Sequence, residues 1–150
     1  MARSHRVEGP AETPYVLRYP PGWRKVQQRS LQKVDPPPAL AIRRADHRGL
    51  VTLTVRGPLD GDLEELQRDF VSALSRRFAD FELVTSRLLD VAGRPALYTS
   101  WTVREARRVH GTLLVPTEDH SYALDAVIHL GAPDVAREVG DILGSFALPA

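Results

Sequence analysis

Three long runs of alternating apolar and polar residues, at 96–104, 107–116 and 121–130, follow one another with only a few residues between them. Period-two alternation puts successive side chains on opposite faces of a strand, and connections this short join only antiparallel neighbours. These runs therefore read as a meander. If Thr117-Glu-Asp-His120 is the hairpin loop, antiparallel partners keep a constant sum, so 112 faces 125, 110 faces 127 and 108 faces 129. One face then sets Val109, Gly111, Leu113 and Val115 against Ile128, Ala126, Leu124 and Tyr122, which makes it the core. With a turn near Glu105-Ala106, Trp101 falls beside His110 and Thr99 beside Thr112. The opposite face thus shows Trp101, Arg108, His110, Thr99, Asp125 and His129.

The rest of the chain supplies more strands and two amphipathic helices. Tyr15-Val-Leu-Arg-Tyr19 alternates as a strand and runs into Pro20-Pro-Gly-Trp23, where Pro21-Gly22 suits the centre of a type II turn that folds Trp23 onto the sheet. Residues 24–33 are polar, and Asp35-Pro-Pro-Pro38 reads as a stiff polyproline connector. Ala39–Arg43 and Leu50–Val55 pair through a hairpin at Asp46-His-Arg-Gly49. Asp62, with Glu65 three residues on, marks a helix start, and Leu63, Leu66, Phe70, Leu74 and Phe78 give that helix one apolar stripe. Short strands are expected at 81–86 and 88–91. A last helix begins at Pro133 and buries Val135, Val139, Ile142, Leu143 and Phe146. Its small-residue ridge, Ala136, Gly140 and Gly144, needs compensation for helix-weakening glycines, and either close approach to the sheet or docking of a foreign helix supplies it. Residues 1–14 lack an apolar signal region and read as a disordered leader before one domain spanning 15–148.

A strand ending in Tyr19-Pro-Pro-Gly-Trp23, an amphipathic middle helix, the turn Val91-Ala-Gly-Arg-Pro-Ala96, a long meander and a closing helix ending Ile142-Leu-Gly-Ser-Phe146 together resemble the PsbP-like superfamily over residues 15–148. The superfamily includes the photosystem protein PsbP, LpqN-type lipoproteins and bacterial domains that act as secretion-effector chaperones. The resemblance implies an α+β fold, an α/β/α sandwich around a central antiparallel sheet. It brings no catalytic residues. It implies a chaperone-like adaptor that engages a protein partner through a sheet face or groove. Apart from the resemblance, a homodimer is a further arrangement that such a module could adopt.

Composition bears on what the chain binds. The net charge is +1 and the basic residues are spread along the chain, which argues against a nucleic-acid binder, since phosphate neutralisation needs clustered positive charge. There is no cysteine, hence no disulfide or thiolate metal site. No run of eighteen apolar residues occurs, so no helical membrane span is expected. The expected compartment is the cytoplasm, or the exterior if an export signal has been removed. Signatures of common hydrolases, nucleotide-binding loops and zinc proteases are absent, and no cofactor is expected. Asp60 and Asp62 fit a turn and a helix cap better than a metal, and Asp125 and His129 lie about 13 Å apart along a strand, too far to share one.

The remaining constellation is Trp101, Arg108, His110 and Asp125, an apolar and chargeable set on one face, expected to form a partner or ligand surface. The alternative is a small-ligand protein or enzyme with His110 as base and Asp125 as its orienter, although no nucleophile stands in position to use them. Beside Asp125, His110 is expected to favour its charged form and to make binding depend on pH between about 5 and 8.

Overall fold

The meander forms in the expected register. In the computed structural model, which describes residues 4–34, 37–59, 61–91 and 93–149, strands β7 (Arg94–Val103), β8 (Arg108–Pro116) and β9 (Ser121–His129) pair antiparallel, with Trp101 opposite His110, Thr112 opposite Asp125 and Arg108 opposite His129. Preceding them are β1 (His5–Glu8), β2 (Val16–Tyr19), β3 (Trp23–Lys25), helix α1 (Gln28–Leu31), β4 (Leu40–Arg44), β5 (Gly49–Arg56), helix α2 (Leu63–Arg77) and β6 (Phe81–Val91), and helix α3 (Pro133–Gly144) closes the chain. The large sheet has the order β3-β4-β5-β9-β8-β7-β6. From β5 the chain crosses through α2 to the far edge at β6 and steps back strand by strand until β9 pairs with β5.

Two layers cover this sheet, giving an α+β sandwich. On one face α3 lays Val135, Val139, Ile142, Leu143 and Phe146 onto Leu53, Leu113, Val115, Tyr122 and Leu124. Leu124 and Ala126 are buried while Asp125 on the opposite face is half-buried, as alternation requires. Trp23, 2% exposed, lids this core at the β3 end, and its indole N–H donates to Glu138 Oε2 of α3 at 2.9 Å. The turn before it has Gly22 at φ 93°, the left-handed conformation that a type II turn needs. On the second face α2 starts at Asp62, whose Oδ1 accepts from the Glu65 amide at 2.8 Å, and lies across β6 and β7, while α1 lies against β4.

Several expectations change. Residues 5–8 of the supposed leader form β1, paired with β2 as a separate two-stranded ribbon, and the following residues are tied down as well, with the Tyr122 hydroxyl donating to the Pro14 carbonyl. The reason is apolar: Tyr15, Leu17 and Tyr19 belong to the α3-side core, so β2 is anchored and offers β1 a partner. The runs 81–86 and 88–91 are a single strand, β6, with a bulge at Val84 that restores alternation after one extra residue. Gly140 and Gly144 do not approach the sheet. Both are exposed, and a Cβ at either would meet nothing within 4 Å. The close backbone approach lies elsewhere, at Gly49, where a Cβ would stand 2.6 Å from Trp23 Cη2 and 2.7 Å from Val135 Cγ1. Asp35 and Pro36 of the polyproline connector, and Asp60, lie outside the described residues.

Candidate functional site

The α2 face of the sheet is built of rows that cross the strands. One row runs Trp101, His110, Val127, Leu50, and the next runs Ser86, Thr99, Thr112, Asp125, Thr52. A third, Leu97, Leu114, Ala123, Thr54, is mostly apolar. The middle row is polar from edge to centre. Gln67 of α2 donates to Ser86 Oγ at 2.9 Å, Ser86 and Thr99 share a hydrogen bond of 3.1 Å, and Thr112 Oγ1 donates to Asp125 Oδ1 at 2.7 Å. Thr99 is 1% exposed, so this chain runs beneath the helix and emerges at Asp125.

The four residues singled out from the sequence separate into two environments. Trp101 is 6% exposed: Phe70 of α2 meets it edge-on at 5.5 Å, His110 stacks on it at 5.2 Å and 8°, and Leu74, Phe78 and Val103 complete a second small core. Such aromatic contacts are worth about 0.5–1.5 kcal/mol each beyond their burial. Trp101 is thus a contact of the protein's own helix rather than a side chain held out to a partner. Arg108 and His110 are half-buried beside it. Burial first, and then the neighbouring Arg108 charge, push the His110 imidazole below the ordinary histidine range, with Asp125 pulling more weakly the other way. The expectation that Asp125 governs His110 is thereby reversed. Among the described residues no hydrogen bond joins the two, and the carboxylate is engaged by Thr112 instead.

Asp125 opens into a groove of about 460 Å³ between α2 and the strands β7, β8 and β9. Leu97, Leu114 and Ala123 form its apolar floor, Leu66 and Phe70 its helical wall, and Asp125 with Thr112 its polar centre. The groove exists because α2 covers β6 and β7 but stops short of β8 and β9, where Thr112 is 9% exposed and Leu114, Ala123 and Asp125 are half-buried. Of the four residues first named, Asp125 alone lines it. Leu66 and Phe70 were legible as the helix stripe, and positions 97, 114 and 123 follow from the strand register. What the sequence does not carry is how far along the sheet the helix sits.

A second groove, of about 500 Å³, runs between α3 and the β6–β7 edge, with Tyr98, Leu113 and Leu143 along it and Gly140 and Gly144 at its rim. Among the described residues no group of three or more acidic, histidine or cysteine side chains is placed to hold a metal, and no helix is long and apolar enough to cross a membrane.

No protein-family model matches the sequence, and no curated protein matches it either. Solved structures do. The solution structure of cyanobacterial PsbP (CyanoP) from Synechocystis sp. PCC 6803 superimposes with a TM-score of 0.72 at 15% identity, covering 99% of this chain and 94% of that one. LpqN, described as involved in cell envelope biogenesis of Mycobacterium tuberculosis, gives a TM-score of 0.66 at 13% identity over 98% and 91% of the two chains. A Bacteroides thetaiotaomicron protein gives 0.59 at 10% identity, with this chain covering half of its length. Identities this low speak to the fold alone, and with the seven-stranded antiparallel sheet between α3 and α2 they establish that this chain has a PsbP-like fold.

Proposed function

We propose that this protein is a non-catalytic binding module whose groove between α2 and strands β7–β9 receives an apolar segment of a protein partner. The observation that carries this reading is the incomplete cover of α2, which leaves Leu114 and Ala123 of the apolar floor half-exposed around the Asp125 carboxylate oriented by Thr112, with Asp69 and Arg56 also lining the groove. Such a site rewards an occupant with an apolar body and a hydrogen-bond donor aimed at the floor, because the floor gains by losing water and the Asp125 carboxylate favours a charge-assisted hydrogen bond. The non-catalytic part of the reading rests on the pairing of side chains. Asp125 is bonded to Thr112, His110 is stacked on Trp101, and neither arrangement readies a nucleophile. A small apolar ligand is the second reading, favoured by the groove's volume of about 460 Å³, which falls within the range of small-molecule sites.

The test is capture of partners from the native host with the wild-type protein and with Ala123→Trp, which fills the groove floor, its fold checked first by circular dichroism and thermal unfolding. Proteins retained by the wild type and lost with Ala123→Trp support the reading. Equal retention by both refutes it. Native mass spectrometry of the protein purified from that host separates the second reading, which calls for a co-purifying small molecule displaced by the same substitution.

A further inference from the structure

The sheet edge at β3 and β4 sorts its arginines by face. Arg43 and Arg44 are successive residues of β4 and so point to opposite sides. Arg44, on the α3 side, is met by three carboxylates: Asp134 at 2.7 Å, Glu138 at 3.4 Å and Asp46 at 3.6 Å. Arg43, on the other side, stands directly opposite Arg24 of β3. No ion pair among the described residues includes either of them. Like charges directly opposite on paired strands are destabilising, so this edge keeps an unfavourable pair where one carboxylate would have relieved it.

The surroundings deepen the imbalance. Lys25, Gln27, Ser30 and His47 join the two arginines around a concavity of about 610 Å³, and Arg44, already engaged by its carboxylates, also reaches its lining. Residues 24–48 hold seven basic side chains against two acidic ones, a net of +5 in a chain whose total is +1, and both lysines of the protein, Lys25 and Lys33, fall in this stretch. Of these seven, Arg24, Lys25, Arg43 and Arg44 line the concavity. The cluster is compact, because Asp46, Asp134 and Glu138 bound it on the α3 side and interrupt any continuous basic track of the kind a polymer backbone follows.

We propose that this concavity binds a phosphate group, held between the Arg24 and Arg43 guanidiniums. Guanidinium forks match phosphate oxygens in bidentate geometry, and an anion placed between two facing cations turns their repulsion into paired attraction. The phosphate belongs either to a soluble compound or to a lipid headgroup, and the site recognises the chemistry they share.

The experiment uses the full chain with inorganic pyrophosphate, at ionic strength held constant with sodium chloride, and with vesicles of phosphatidylglycerol or of phosphatidylcholine. Calorimetry and thermal unfolding are run on the wild type, Arg24→Gln, Arg43→Gln and, as a charge-matched control on exposed α3 surface, Arg137→Gln. Pyrophosphate is expected to bind saturably, with affinity lowered about tenfold or more in Arg24→Gln and Arg43→Gln and unchanged in Arg137→Gln. Without any anion, Arg24→Gln and Arg43→Gln are expected to melt up to about 2–4 °C higher than the wild type, since each relieves the like-charge pair. Binding to phosphatidylglycerol vesicles but not to pyrophosphate or phosphatidylcholine, lost in Arg43→Gln, assigns the phosphate to a lipid headgroup. Failure of both phosphate probes to bind, or equal weakening by Arg137→Gln and Arg43→Gln, overturns the proposal.

Discussion

Replacing Trp23 with alanine removes the lid of the larger core, and the structure sets the scale of the loss. The indole is 2% exposed and packs where Gly49 and Val135 leave no spare room, so the substitution opens a cavity whose walls are held by strand and helix backbone. An aromatic side chain buries about 150–250 Å², which at about 25 cal/mol per Å² amounts to about 4–6 kcal/mol before any relaxation. Measured truncations of this kind cost about 3–5 kcal/mol, a large fraction of the about 5–15 kcal/mol that holds a domain together. At about 2–4 °C per kcal/mol for a chain of this size, the melting midpoint should fall by about 6–20 °C. Urea unfolding followed by far-ultraviolet circular dichroism measures the change, while fluorescence of Trp101, the remaining tryptophan, reports on the α2-side core. Trp23→Phe should cost less, because it keeps most of the area and loses the hydrogen bond to Glu138. An unchanged midpoint and slope for Trp23→Ala would refute the packing argument.

Two glycines should respond in opposite directions. Gly140→Ala, in a helix interior with open space around it, should gain about 1 kcal/mol, whereas Gly49→Ala, pressed between Trp23 and Val135, should lose about 1–3 kcal/mol, both read from denaturation midpoints. For His110 the folded protein resists protonation, so the unfolded chain takes up the proton first as pH falls below about 6.5. Its contribution is therefore full above that pH and is lost as pH falls toward the lowered folded-state value. Comparing wild type with His110→Gln at pH 7.5 and pH 5.0 should show a steeper loss in the wild type, and parallel profiles would contradict it.

Much of the fold was legible because strict alternation leaves little freedom. The constant-sum rule placed Thr112 opposite Asp125 and Trp101 opposite His110, and the acidic cap at Asp62 fixed the start of α2. The leader was misread because β1, with the sequence His-Arg-Val-Glu, contributes one partly buried apolar residue, and its order comes from the β2 edge that it pairs with. The site was only partly legible, for a tertiary reason. Sequence places Trp101 and Asp125 on one face, but nothing in it says that α2 lies over β6 and β7, burying the tryptophan and leaving the carboxylate open. The facing pair Arg24 and Arg43 was hidden in the same way, since nineteen positions and a helix separate them along the chain while the β3–β4 register sets them side by side.

The most direct test of the proposed binding role is a methyl-resolved NMR titration of the intact protein with the partner segment retained in the capture experiment. Occupation of the α2 groove predicts shifts concentrated on Leu66, Leu97, Leu114 and Ala123, weakened in Asp125→Asn and absent in Ala123→Trp. Shifts centred instead on Leu143 and Leu113, beside the exposed Gly140 and Gly144, would contradict the account and place the partner on the α3 side of the sheet.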